Sequence, residues 1–133
     1  MANALYDKGR EAFLSGGISW SGDTIKMALV NTGTYTVDLA NHQFLSSLTG
    51  VVGTAQTLGT KTVTAGVADA ADVTYTAVTG SAVGALVIYK DTGTAGTSNL
   101  IAYIDTGTGL PVTPNGGDII VVFDNGANKI FKL

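Results

Sequence analysis

From Gly50 onward the chain is a series of short runs rich in Val, Ile, Thr and Tyr, each bounded by Gly, Asn or Asp: 60–64, 72–78, 82–90, 99–105, 118–124 and 129–133. Branched and aromatic side chains pack well on a pleated surface, so these runs favour strands. The residues between them carry specific turn chemistry. Asp91-Thr92-Gly93 and Asp105-Thr106-Gly107 each combine an Asp that can bond its own backbone with a Gly free to take positive φ. Pro114-Asn115-Gly116-Gly117 and Asp124-Asn125-Gly126 are hairpin signals of the same kind. Several such strands in one chain predict an all-β fold, an antiparallel β-sandwich or a jelly-roll-like arrangement.

The first part of the chain reads differently. Leu5, Tyr6, Ala12, Phe13 and Leu14, with Asn3 as a possible cap and Gly16-Gly17 as a stop, predict a short N-terminal helix over 3–15 that Gly9 weakens. Thr24 to Asn31 predicts a strand in which Ile25, Met27 and Leu29 alternate with Lys26, Ala28 and Val30. Asn41 to Leu48 suits a helical turn capped by Asn41, with Phe44, Leu45 and Leu48 facing inward. Residues 48–71, rich in Gly, Thr and Ala with little large apolar content, predict an extended arm. Ala85 to Tyr89 and Ile119 to Phe123 are apolar on both faces, so a helix, a loop or a neighbouring subunit must cover their outer side. The run Lys129 to Leu133 is expected to pair with Ile119 to Phe123.

A length of 133 residues with 45% hydrophobic content suits a single domain over 1–133 with one core. The chain has no cysteine and one histidine, with seven Lys and Arg and ten Asp and Glu. Catalysis and metal binding draw on clusters of such groups, so this composition suits a surface to be presented better than a reaction to be run. A formal charge of -3 with no basic stripe argues against nucleic acid as a partner. No run approaches the ~18 apolar residues of a membrane-spanning helix, so no membrane partner is expected. Asp7, Lys8, Arg10 and Glu11 stand where a signal peptide would need an apolar core, which predicts synthesis in a cytoplasm.

Candidate sites are few. Asp38, His42 and Ser46 fall at i, i+4 and i+8, which on one helix face would align an orienter, a base and a nucleophile. No glycine-rich elbow accompanies them, and surface or turn roles are the expectation. Nine of the ten acidic residues are Asp, several at strand ends (Asp23, Asp91, Asp105, Asp118, Asp124), but the ligand order of a calcium loop is missing and turn formation is expected instead. Gly107-Thr108-Gly109 lacks the third glycine of a dinucleotide loop, and Pro111 blocks the helix such a loop opens. No metal or cofactor is expected. Trp20 with Tyr35, Tyr75, Tyr89 and Tyr103 could form an aromatic platform for a sugar, or be half-buried sheet residues.

Three segments, MANALYDKGREAFLSGGISW, ALVIYKDTGTAGTSNLIAYIDTGTGLPVTPNGGDI and FDNGANKIFKL, resemble small virion proteins of tailed bacteriophages, capsid cement or decoration proteins in particular. The similarity covers both ends and the middle and is least clear over 48–71. It implies a non-enzymatic, β-rich domain that binds the outside of the icosahedral head as a dimer or trimer and clamps neighbouring capsid subunits. The partner would be the major capsid protein or another virion protein, and the location the virion. A tail or baseplate component, or a host-polysaccharide-binding module at the virion tip, is the alternative. No site residue carries over, because the matching segments are turns and core strands. Position and composition nominate three contact surfaces: Ala2, Leu5, Tyr6 and Arg10; Val51, Val52 and Lys61; and Ile130, Phe131 and Leu133.

Overall fold

The computed structural model describes residues 4–105, 112–121 and 130–132. In chain order the elements are β1 (Ala4–Leu5), α1 (Asp7–Leu14), β2 (Ile25–Val30), a 3₁₀ turn (Leu45–Ser47), β3 (Val51–Thr57), β4 (Thr62–Thr64), β5 (Val67–Asp69), β6 (Val73–Tyr75), β7 (Ala85–Lys90), β8 (Leu100–Ile104), β9 (Ile119–Val121) and β10 (Phe131–Lys132). The protein is all-β with one short helix. A five-stranded antiparallel sheet runs β1-β8-β7-β2-β3, beside a three-stranded sheet β10-β5-β4 and a two-stranded sheet β6-β9.

β2 and β7 form the spine, in register from Ile25↔Lys90 to Val30↔Ala85. Their side chains alternate between two apolar layers. Ile25, Met27, Leu29, Leu86 and Ile88 pack with Trp20, Leu58, Tyr75 and Ile101, beneath the smaller sheets and the helix. Ala28, Val30, Ala85, Val87 and Tyr89 pack on the other face with Tyr6, Tyr35, Leu48, Leu100 and Tyr103. β2 alternates as expected, Ile25, Met27 and Leu29 in one layer and Ala28 and Val30 in the other, and both faces are buried, with only Lys26 half exposed. Such doubly covered strands tolerate apolar residues at successive positions. Part of the chain itself, through Val37, Leu39 and Leu45, covers the second face. Among the described residues β9 has no such cover, and Ile120 is 64% exposed.

Four expectations are corrected. The helix is 7–14 rather than 3–15, because residues 4–5 are drawn into the sheet by Leu5↔Ala102 pairing; Tyr6 takes the cap position without a side-chain bond, and Asn3 lies outside the described residues. The supposed arm over 48–71 forms β3, β4 and β5, with Val52, Leu58, Ala68 and Ala70 buried. Ladder bonds use the backbone alone, so Thr, Val and Ala suffice to make strands there without large side chains. Gly53, at φ +69°, sits where the β2–β3 register breaks between Met27 and Leu29. At 41–48 only the 3₁₀ turn is helical, and the Asn41 side chain donates to Asp38 instead of capping it. That segment is held by Leu45 and Ser46 N–H groups donating to Ser98 and Ala95 carbonyls. Finally, β10 pairs with β5 (Phe131↔Ala68), while β9 pairs with β6 (Val73↔Val121). Any two strands can share ladder bonds, so burial decides the pairing.

The turn chemistry holds where it is described. Gly93 and Gly117 N–H groups donate to Asp91 and Asn115 Oδ1 at 3.0 and 2.9 Å. The signals at 106–109 and 124–126 lie outside the described residues. The β4–β5 hairpin turns through Ala65 and Gly66, both at positive φ (+53° and +79°). Two positive φ values in a two-residue loop make a type I′ turn, for which Asn-Gly is preferred and alanine is strained. Ala65→Asn is expected to stabilise the protein by about 1 kcal/mol, read as a higher urea midpoint with an unchanged slope.

Candidate functional site

The Asp38, His42, Ser46 alignment does not form, because no helix spans 38–46. The Asp38 carboxylate accepts from the Ala40 and Asn41 N–H groups at 3.2 Å and from the Asn41 amide at 2.9 Å. These bonds, the one from the Asn41 side chain first, hold it below the usual carboxylate range. Ser46 is exposed in the 3₁₀ turn. His42 turns instead to Tyr35, whose hydroxyl lies 2.7 Å from Nδ1 and 2.8 Å from the hydroxyl of Tyr6. Burial pushes the Tyr6 phenol far above its ordinary range, and donating to Tyr35 adds to the shift. Tyr35 is also raised by burial, while the bond it accepts from Tyr6 acts the other way. With Nδ1 as the acceptor, the two bonds run in one order, Tyr6 to Tyr35 to His42. Nothing in the sequence marks this relay, since Tyr6 and Tyr35 meet only when β1 and α1 dock.

The aromatic platform is corrected as well. Trp20, Tyr35, Tyr75, Tyr89 and Tyr103 are all buried, and the Trp20 indole donates to the Asp69 carbonyl at 3.0 Å. The Tyr75 hydroxyl donates to the Met27 carbonyl at 2.6 Å, where the β2–β3 ladder is interrupted.

The strand-end aspartates fasten loops. Asp23 Oδ2 accepts from the Ser19 N–H at 2.7 Å and pairs with Lys90 at 3.3 Å; Lys61 donates to the Asp23 carbonyl. Asp91 pairs with Lys26 at 3.2 Å. Among the described residues no three His, Asp or Glu side chains converge as a metal site would require. Asp23 is held below its ordinary range first by the Ser19 amide and then by Lys90, and Asp91 first by the Gly93 amide and then by Lys26. Because the folded values are depressed, their contribution is present above the unfolded carboxylate value near ~4 and is lost as pH falls through the folded values. Melting temperature is therefore expected to fall between about pH 5 and pH 2, less steeply in Asp91→Asn. An equal fall in that variant would remove Asp91 from the account.

The nominated contact residues divide. Leu5, Tyr6 and Val52 are core residues, 6%, 0% and 6% exposed, and present nothing to a partner. This corrects their nomination from position and composition: pairing of Leu5 with β8 and of Val52 with β2, and the Tyr6 N–H bond to the Ile101 carbonyl, draw them into the core. Arg10 is exposed and pairs with Asp7 at 3.3 Å, Lys61 is half-buried, and Ile130 packs partly against the first apolar layer. Ala2, Leu133 and the Phe131 side chain lie outside what is described. Val51 is 45% exposed, and two side chains that were not nominated join it: Val63 at 58% and Ile120 at 64%. Only the placement of the strands reveals these two: Ile120 alternates with the less exposed Ile119 and Val121, whereas all of β4 around Val63 is exposed. Beside Val51 is a shallow depression of about 270 Å³, lined by Asn31, Thr34, Gly50, Gly53, Thr79 and Ser81 among others. No protein-family model matches the chain, and no curated protein matches it significantly.

Proposed function

We propose that this chain is a non-enzymatic structural protein of a tailed-bacteriophage virion, a capsid cement protein that binds the head lattice through its exposed strands. One observation carries the reading. The large apolar side chains left in solvent on the described sheets, Val51, Val63 and Ile120, each sit on a strand without a charged residue, and β3 and β4 are sheet edges. Unpaired edges of this kind accept further strands or flat apolar surfaces, and natural monomers usually blunt them with charge. The resemblance of the three segments to phage virion proteins supplies the partner: the major capsid protein, gripped by a homo-oligomer, a dimer or a trimer. Many copies on one lattice turn modest contacts into durable attachment.

Co-sedimentation with stripped, expanded phage heads tests this. Saturation at a simple ratio to the major capsid protein is expected, and it should be lost in Val63→Lys combined with Ile120→Lys, both of which lie on the surface. Binding of only a few copies per particle would move the protein to the tail or baseplate. No binding at all would overturn the reading.

A further inference from the structure

We propose that Tyr6, Tyr35 and His42 form a proton-operated latch that holds the segment 31–48 on the central sheet. The argument is a count of hydrogens. With Nδ1 of His42 bare, two phenolic hydrogens fill the two gaps of the relay, Tyr6 to Tyr35 at 2.8 Å and Tyr35 to Nδ1 at 2.7 Å. A proton taken up at Nδ1 places three hydrogens in the same two gaps. Either the Tyr35 hydroxyl reverses towards Tyr6, leaving the Tyr6 hydrogen without an acceptor, or Tyr35 accepts from both sides and its own hydrogen is stranded. Tyr6 is 0% exposed and Tyr35 3%, and Tyr6 has no other side-chain hydrogen bond among the described residues. A stranded buried donor is costly because no water replaces the lost acceptor.

The cost falls on docking of the segment. Tyr35, Val37, Leu39, Leu45 and Leu48 of 31–48 complete the second apolar layer, and the Asp7 N–H at the start of α1 donates to the Leu39 carbonyl at 2.8 Å. Undocking lets the surplus hydrogen reach water. The groups facing the imidazole are Tyr35, with ring centroids 5.4 Å apart, and Asp38 on the same segment, whose charge interacts with that of His42; behind Tyr35 stand Tyr6 and, on β8, Tyr103, its ring 6.3 Å from that of Tyr35. Asp38 moves with the segment, so its place beside the imidazole is the same whether the latch is shut or open. The buried tyrosines leave the surplus hydrogen without an acceptor only while the latch is shut.

Amide exchange at pH 8 and pH 5, normalised to intrinsic rates, tests the latch across the range in which imidazoles titrate. The Asp7, Leu45 and Leu100 amides donate across the docking seam, to Leu39, Ser98 and Gln43 carbonyls, and their protection is expected to drop roughly tenfold at pH 5, while Val87 at the centre of β7 is unchanged. His42→Gln keeps an acceptor for Tyr35 but takes up no proton, and should show no drop. Tyr35→Phe separates the imidazole from Tyr6, and should be less protected at both pH values without depending on pH. No drop in the wild type, or one that survives in either variant, would overturn the proposal.

Discussion

Gly9→Ala is expected to destabilise the protein by about 2 kcal/mol, although alanine is the better helix former by about 1 kcal/mol. A Cβ at position 9 would sit 2.6 Å from the Leu100 carbonyl oxygen, 3.1 Å from Ile101 Cα and 3.2 Å from the Ile101 oxygen. All three are backbone atoms of the central sheet, so no side chain can rotate away. The helix must lift from β8, opening space around Leu5, Ala12 and Phe13 in the first apolar layer. It also strains the Tyr6 N–H bond to the Ile101 carbonyl, 2.9 Å long. Urea unfolding of wild type and variant, followed by tryptophan emission, measures the difference. A gain in stability would mean that α1 is loosely docked and that only helix propensity counts at position 9.

Raising the pH above about 10 is expected to unfold the protein cooperatively. All five tyrosines have phenols raised by burial, Tyr6 and Tyr75 most strongly. For Tyr6 the bond donated to Tyr35 adds to the effect. The folded values lie above the unfolded one, so the stabilisation is complete below the unfolded phenol value. It is lost as pH rises, because the unfolded chain gives up its phenolic protons first. Each fully buried phenol then removes about 1.4 kcal/mol per pH unit, and Tyr6 and Tyr75 are 0% and 1% exposed. Tyrosinate absorbance near 295 nm should rise together with loss of tryptophan emission, and Tyr75→Phe should make the pH dependence shallower. Phenols ionising smoothly near pH 10 while the fold persists would contradict the burial of these residues.

Much of the strand content was legible because it rests on local chemistry. Val, Ile and Tyr runs became β7 and β8, and Asp91 and Asn115 closed their turns through their own side chains, with the following glycines at φ +85°. These features need only a residue and its near neighbours. The strands β3, β4 and β5 were missed because Thr, Ala and Gly carry weak local preference. They become strands because β2 offers β3 an open ladder and the apolar layer offers burial to Val52, Leu58 and Ala68. The lysine-flanked end of the chain had two apolar strands to choose between, and its pairing with β5 follows from where the smaller sheets pack.

The candidate site divides along the same line. The sequence by itself determined that the chain has one histidine, no cysteine and few charges, because composition does not depend on folding. It also determined that β7 is apolar on both faces, whereas whether each such run is covered was decided by the fold: β7 is buried and β9 leaves Ile120 in solvent. Only the tertiary structure decided that the cover is the segment 31–48, that Tyr6 and Tyr35 meet across 29 residues, and that His42 turns to them rather than to Asp38. The same holds for Val63 and Ile120, which strand pairing leaves in solvent. The reason is physical: a hydrogen bond or an apolar contact depends on distance in space, and sequence separation sets that distance only within a turn or a single strand.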